Sequence, residues 1–144
     1  MKIKVINQSK HPLPEYQTPL AAGLDLRANL DEPVSLEPLE RKLIGTGLFI
    51  ELPAGYEAQI RPRSGLAFKY GLSVLNTPGT VDAGYRGELM VTLFNSSNES
   101  FDIVRGDRIA QLVFQKVEHA TFIAVTSLPE STRGETGFGS SGRN

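Results

Sequence analysis

Leu48-Phe49-Ile50-Glu51-Leu52-Pro53-Ala54-Gly55-Tyr56-Glu57-Ala58-Gln59-Ile60-Arg61 carries the clearest periodicity in the chain. Leu48, Ile50 and Leu52 occupy alternate positions, Pro53-Ala54-Gly55 interrupts them, and Tyr56, Ala58 and Ile60 resume the pattern with Glu57, Gln59 and Arg61 opposite. A period of two belongs to a strand with one face in a core and the other in water. The stretch therefore predicts two strands joined as a hairpin. Outward from it, Lys2 to Ile6, Leu24 to Ala28, Glu88 to Asn95, Phe101 to Val104, Ile109 to Phe114 and Thr121 to Val125 read as further strands. Ser64 to Tyr70 is the single helix candidate. Nine prolines and fourteen glycines punctuate these segments, and many short strands between turns predict an all-β sandwich, barrel or jelly roll.

The character changes near Pro129. Residues 130–142 hold four glycines, one aromatic and no aliphatic side chain, so the chain divides into a β domain over 1–128 and a mobile, glycine-rich arm over 129–144. Gly137-Phe138-Gly139-Ser140-Ser141-Gly142 matches the glycine spacing of a dinucleotide fingerprint, but that motif opens a helix after a strand, and this chain ends two residues later. The arm offers backbone N–H groups, two hydroxyls and the fork of Arg133, which together can wrap a polyphosphate. A solvated tail without a ligand is the alternative, against which Phe138 stands as an aromatic suited to stacking.

Forty per cent hydrophobic residues over 144 positions suffice for one core. The absence of cysteine excludes disulfides, a thiolate nucleophile and cysteine-ligated metals. A net charge of −1, with both signs interspersed, leaves no footprint for nucleic acid. No window is apolar enough to span a bilayer, and Met1 to Ile6 alternates instead of forming a leader-like run. A cytoplasmic protein without nucleic-acid or membrane partners is expected.

Four clusters stand out in the body. Arg61-Pro62-Arg63-Ser64-Gly65 leads into the short helix, where Ser64 is placed as N-cap and first-turn N–H groups can face an anion; a capped helix with solvated arginines is the alternative. Asp82, between turn glycines in Gly79-Thr80-Val81-Asp82-Ala83-Gly84-Tyr85, is either a base or a turn-capping carboxylate. Asp25 invites an ion pair with a nearby arginine, and Gln111, among apolar neighbours, needs partners if buried. His11 and His119 fit no ligand or triad spacing and read as surface residues.

In order and spacing these clusters resemble the five motifs of the trimeric dUTP pyrophosphatase (dUTPase) family: Ala22-Gly23-Leu24-Asp25-Leu26, Arg61-Pro62-Arg63-Ser64-Gly65-Leu66-Ala67, Gly79 to Glu88, Gly106 to Leu112 and Arg133 to Gly142. The resemblance implies a β jelly roll, a homotrimer whose sites each draw on three chains, and Mg2+-dependent hydrolysis of dUTP to dUMP and pyrophosphate. That activity keeps uracil out of DNA and supplies dUMP for thymidylate synthesis. By the same resemblance, Asp82 activates the water that attacks the α-phosphorus, and carboxylates are ordinarily ionised at neutral pH. Asp25 is implied to hold the metal indirectly, through water. Arg63, Ser64, Gly65 and Gln111 are implied to cradle the α- and β-phosphates. Arg133, Ser140 and Ser141 are implied to be the arm's grip on the γ end, Gly139 to be a further substrate-binding position, and Phe138 to be a lid over uracil. The segment from Asn76 through Thr80, Val81 and Asp82 to Met90 is implied to read the base as a hairpin, with Tyr85 beneath the deoxyribose. The arm departs in one respect, carrying Ser140-Ser141 where Ser-Thr is frequent.

Two rivals follow. The dCTP deaminases share the fold but place a catalytic glutamate where this chain has Thr92, which cannot shuttle protons as a carboxylate does. A regulator that binds dUTP to order its arm against a protein partner would keep the pocket without needing turnover.

Overall fold

Alternation and turn residues lay down ten strands and one helix over residues 1–137, which the computed structural model describes. In chain order these are β1 (Lys4–Asn7), β2 (Leu24–Arg27), β3 (Val34–Leu36), β4 (Arg41–Glu51), β5 (Tyr56–Arg61), α1 (Ser64–Tyr70), β6 (Leu72–Val74), β7 (Gly79–Val81), β8 (Glu88–Asn95), β9 (Phe101–Ile103) and β10 (Arg108–Lys116). Two four-stranded sheets, ordered β1-β4-β8-β6 and β2-β10-β5-β7, are accompanied by a two-stranded β3-β9 ribbon. All pairings are antiparallel. The inward positions of both sheets meet in one cluster, with Ile44, Leu89, Val91 and Leu93 from one and Leu26, Ile60 and Leu112 from the other. This is the expected all-β, jelly-roll-like architecture.

The expected hairpin around Pro53-Ala54-Gly55 is not formed. Leu48, Ile50, Ala58 and Ile60 are buried as the alternation requires, but β4 pairs with β8 and β1 while β5 pairs with β10 and β7. The turn therefore carries the chain from one sheet to the other, tied down by the Val117 N–H on the Gly55 carbonyl at 3.0 Å. Alternation fixes which side chains face the core; it does not choose the neighbouring strand.

Three other expectations are corrected. Thr121–Val125 forms no strand, and its Phe122, Ile123 and Val125 are 98%, 81% and 63% exposed; strand periodicity is present, but no strand within the described chain pairs with it. The N-cap of α1 is Arg63, with no side-chain cap, so Ser64 is the first helical residue. His11 is half-buried, because Asn7 Nδ2 donates to its carbonyl at 2.8 Å and folds the loop inward, whereas His119 is exposed as expected. Among the described residues no helix is long and apolar enough to cross a membrane.

One buried polar side chain organises the ribbon. Asn95 is fully buried; its Nδ2 donates to the carbonyls of Leu36 and Glu99 at 2.8 Å each, and its Oδ1 accepts from the Ser97 N–H at 2.9 Å. Asn95→Ala removes all three bonds and leaves the Leu36 carbonyl unmet in the core, at a cost of about 3 kcal/mol. Urea unfolding should show a correspondingly lower midpoint with an unchanged slope; a drop below about 1 kcal/mol would mean that water replaces the amide.

Candidate active site

The segment from Asn76 to Met90 bridges the two sheets. β7 hangs on β5, with Ala58 opposite Val81 and Ile60 opposite Gly79, whereas β8 begins at Glu88 in the other sheet. The expected hairpin is thus a span across the sandwich mouth, since its two legs are hydrogen-bonded to different sheets. A tight turn at its tip is closed by the Tyr85 N–H on the Asp82 carbonyl at 3.0 Å. The Tyr85 hydroxyl donates to the Glu88 carbonyl at 2.9 Å, folding the ring back over the span.

Beneath this span lies an open cavity of about 290 Å³ lined by Asn76, Thr80, Val81, Asp82, Tyr85 and Met90, with Leu43, Ile60 and Leu89 as apolar walls. All six residues expected around a base and sugar therefore share one cavity. Asp82 is exposed at its rim; its backbone closes the turn, and among the described residues its carboxylate accepts no hydrogen bond. Apolar walls with a few polar groups at the mouth are the usual make-up of a small-molecule pocket. Glu88 also lines the cavity and was not singled out by sequence; its place directly after Gly87 at the start of β8 was the available signal.

A second cluster gathers at the ends of β2, β5 and β10. Asp25 Oδ1 lies 2.9 Å from Arg63 Nε, and its Oδ2 lies 3.1 Å from Arg108 Nη1. Arg63 Nη1 also donates to the Arg108 carbonyl at 3.0 Å. The expected ion pair of Asp25 thus exists, with arginines 38 and 83 positions away instead of with its near neighbour Arg27. Two guanidiniums against one carboxylate leave a positive charge uncompensated, at a place where Ser64 and Gly65 are exposed in the first turn of α1. First-turn N–H groups without intrahelical partners add to that field. Nothing local in the sequence links Arg108 to Asp25; only the fold brings the two together.

Gln111 is half-buried beside this cluster and donates to the Pro62 carbonyl at 2.9 Å, immediately before Arg63. It sits opposite Asp25 on one side and Arg61 on the other. A Cβ on Gly23 would meet Gln111 Oε1 and displace the amide from this pose. Within one chain this cluster does not line the cavity that holds Asp82.

The arm contributes Arg133, exposed, with Nε donating to the Thr136 carbonyl at 3.0 Å across a local turn. Phe138, Gly139, Ser140 and Ser141 lie outside the described residues. Among the described residues no three His, Cys, Asp or Glu side chains converge as a metal cage. Any divalent ion would take most of its ligands from water and a bound phosphate chain, as magnesium ordinarily does. Asp25 fits such an outer role: its two oxygens each serve one arginine and retain lone pairs for water.

A jelly-roll-like fold with Asp82 at the rim of an open cavity and a separate cationic cluster puts the chain among small, ligand-binding β proteins. The sequence profile of the dUTPase family matches residues 9–142. The deoxyuridine 5'-triphosphate nucleotidohydrolase of Cytophaga hutchinsonii is 59% identical, covering 98% of this chain and 92% of that protein. Its counterpart in Finegoldia magna is 49% identical over 99% of both. Among solved structures, a variant of the dUTPase of Staphylococcus bacteriophage 80alpha with dUpNHpp superposes with a TM-score of 0.88 at 30% identity, covering 98% of each chain. A dUTPase variant from phage phi11 of S. aureus, described with a structural Mg(II) ion, superposes with a TM-score of 0.81 at 25% identity over 90% of this chain and all of that one. The chain belongs to the dUTPase family and is an enzyme of that family.

Proposed function

We propose that the protein hydrolyses dUTP to dUMP and pyrophosphate by in-line attack of water on the α-phosphorus, with Asp82 as the base. The observation that carries this reading is the convergence of Asn76, Thr80, Val81, Asp82, Tyr85 and Met90 on one cavity. Backbone and Asn76 groups match the donor–acceptor edge of uracil, and cytosine would leave them unpaired at a cost. A tight wall excludes the methyl group of thymine. Tyr85, tethered to Glu88, lies where a deoxyribose stacks and a ribose hydroxyl is crowded. The 80alpha relative, described with dUpNHpp, supports a ligand of this class.

Arg63, Ser64, Gly65 and Gln111 bind the α- and β-phosphates, and Arg133, Gly139, Ser140 and Ser141 of the arm take the γ end while Phe138 covers the base. Their positive charge and N–H donors stabilise charge moving onto the leaving pyrophosphate. Magnesium, held by the phosphates with Asp25 behind its water shell, would withdraw charge from the phosphoryl oxygens. The separation of Asp82's cavity from the Asp25 cluster supports a homotrimer in which neighbouring chains complete each site and residues 129–144 close it. The same activity would serve in the cytoplasm to keep uracil out of DNA and to supply dUMP for thymidylate synthesis.

The test is pyrophosphate release from dUTP, dCTP, dTTP and UTP, each with magnesium and with excess chelator. Turnover confined to dUTP and abolished by chelator is expected. Ammonia released from dCTP, or tight dUTP binding without turnover, would replace this reading by a deaminase or a regulator.

A further inference from the structure

The ladder between β4 and β8 is regular from Arg41 opposite Phe94 to Gly45 opposite Met90, then breaks, and resumes only at Phe49 opposite Glu88. β4 therefore carries extra residues across from the first residues of β8, and irregularities of this kind commonly re-aim side chains beside functional sites. The Glu88 carboxylate fills the break. Its Oε1 accepts the Gly47 N–H at 2.7 Å, and a Cβ on Gly45 would stand 2.6 Å from the same oxygen. Beside it, the buried Thr46 hydroxyl donates to the Leu89 carbonyl at 2.6 Å. The backbone of Glu88 faces the other way, its carbonyl accepting the Tyr85 hydroxyl. Glu88, Leu89 and Met90 then form one wall of the cavity whose rim is Asp82.

We propose that Glu88 is a positioning residue for substrate selection: its carboxylate, seated in the irregular stretch of β4, sets the cavity wall and, through its own carbonyl, the pose of Tyr85. The required feature is an acceptor oxygen at this position. Negative charge is incidental, because the partner is a neutral backbone N–H. Glu88→Gln can present the same oxygen, Glu88→Ala cannot, and Gly45→Ala crowds the carboxylate out of its seat from the opposite side. This inference rests on the cavity being the dUTP site.

The experiment measures kcat and KM for dUTP and dCTP, with amide hydrogen exchange at Gly47 in the ligand-free protein. Glu88→Ala should raise KM for dUTP about tenfold, as loss of one hydrogen bond allows, while kcat moves less than about threefold. The dUTP-over-dCTP ratio of kcat/KM should fall and exchange at Gly47 should accelerate. Glu88→Gln should recover most of the KM and the slow exchange, and Gly45→Ala should resemble Glu88→Ala. A uniform loss of activity tracking stability, an unchanged KM in Glu88→Ala, or a Glu88→Gln variant as impaired as alanine would overturn the proposal. If Glu88→Ala does not fold, Gly45→Ala and Glu88→Gln decide it. Should the wild-type protein fail to turn over dUTP, the functional reading fails, whereas the exchange data still judge the Glu88 contact.

Discussion

Asp82→Asn is expected to lower kcat for dUTP by about 10²- to 10⁴-fold, the usual contribution of a positioned general base. Affinity for dUpNHpp should change less than about threefold. The two effects separate because asparagine keeps the size and shape of the side chain but, as a neutral amide, cannot take up the proton of the attacking water. The fold should not suffer either: Asp82 is exposed, and the bond that closes its turn runs from the Tyr85 N–H to the Asp82 backbone carbonyl. Single-turnover hydrolysis beside calorimetric titration with the analogue measures both quantities. Loss of binding in parallel with rate would make Asp82 a binding residue; an unchanged rate would place the base elsewhere.

Removal of residues 129–144 is the second large effect. The deletion takes away Arg133, the glycine backbone donors, Ser140, Ser141 and the Phe138 ring. Removing a single donor aimed at developing charge costs about 10²- to 10³-fold in kcat, so the loss in kcat/KM should be at least about 10²-fold. Stability should barely change, because residues 129–136 are all exposed and the core cluster draws nothing from them. Thermal unfolding and sedimentation of the truncated protein, beside its kinetics, check the prediction. An active truncation would reduce the arm to the solvated tail that its composition equally allows.

These predictions draw unequally on sequence and on fold. The position of Asp82 between turn glycines is local information, and so are the strand of Glu88–Asn95 and the helix of Ser64–Tyr70, each found as expected. The pairing of Asp25 with Arg63 and Arg108 is not local, since the residue nearest in sequence, Arg27, turns to the Gly106 carbonyl instead. The role of Glu88 is equally invisible along the chain: its partner, Gly47, lies on another strand, at a break in register that no alternation reveals.

By itself the sequence determined the all-β class, the inward faces of the strands, the helix and, through five spaced motifs, the family, and it singled out six residues that the fold gathers around one cavity. Each depends on side-chain periodicity, backbone restrictions at Gly and Pro, or order along the chain, and none of these requires knowing which segments meet in space. Only the tertiary structure decided that Pro53-Ala54-Gly55 and the Asp82 turn cross between sheets, that Thr121–Val125 stays unpaired within the described chain, and which arginines meet Asp25. Those outcomes are choices among strand partners of equal local quality. They are settled by the burial of one shared core and by backbone ladders between residues tens of positions apart.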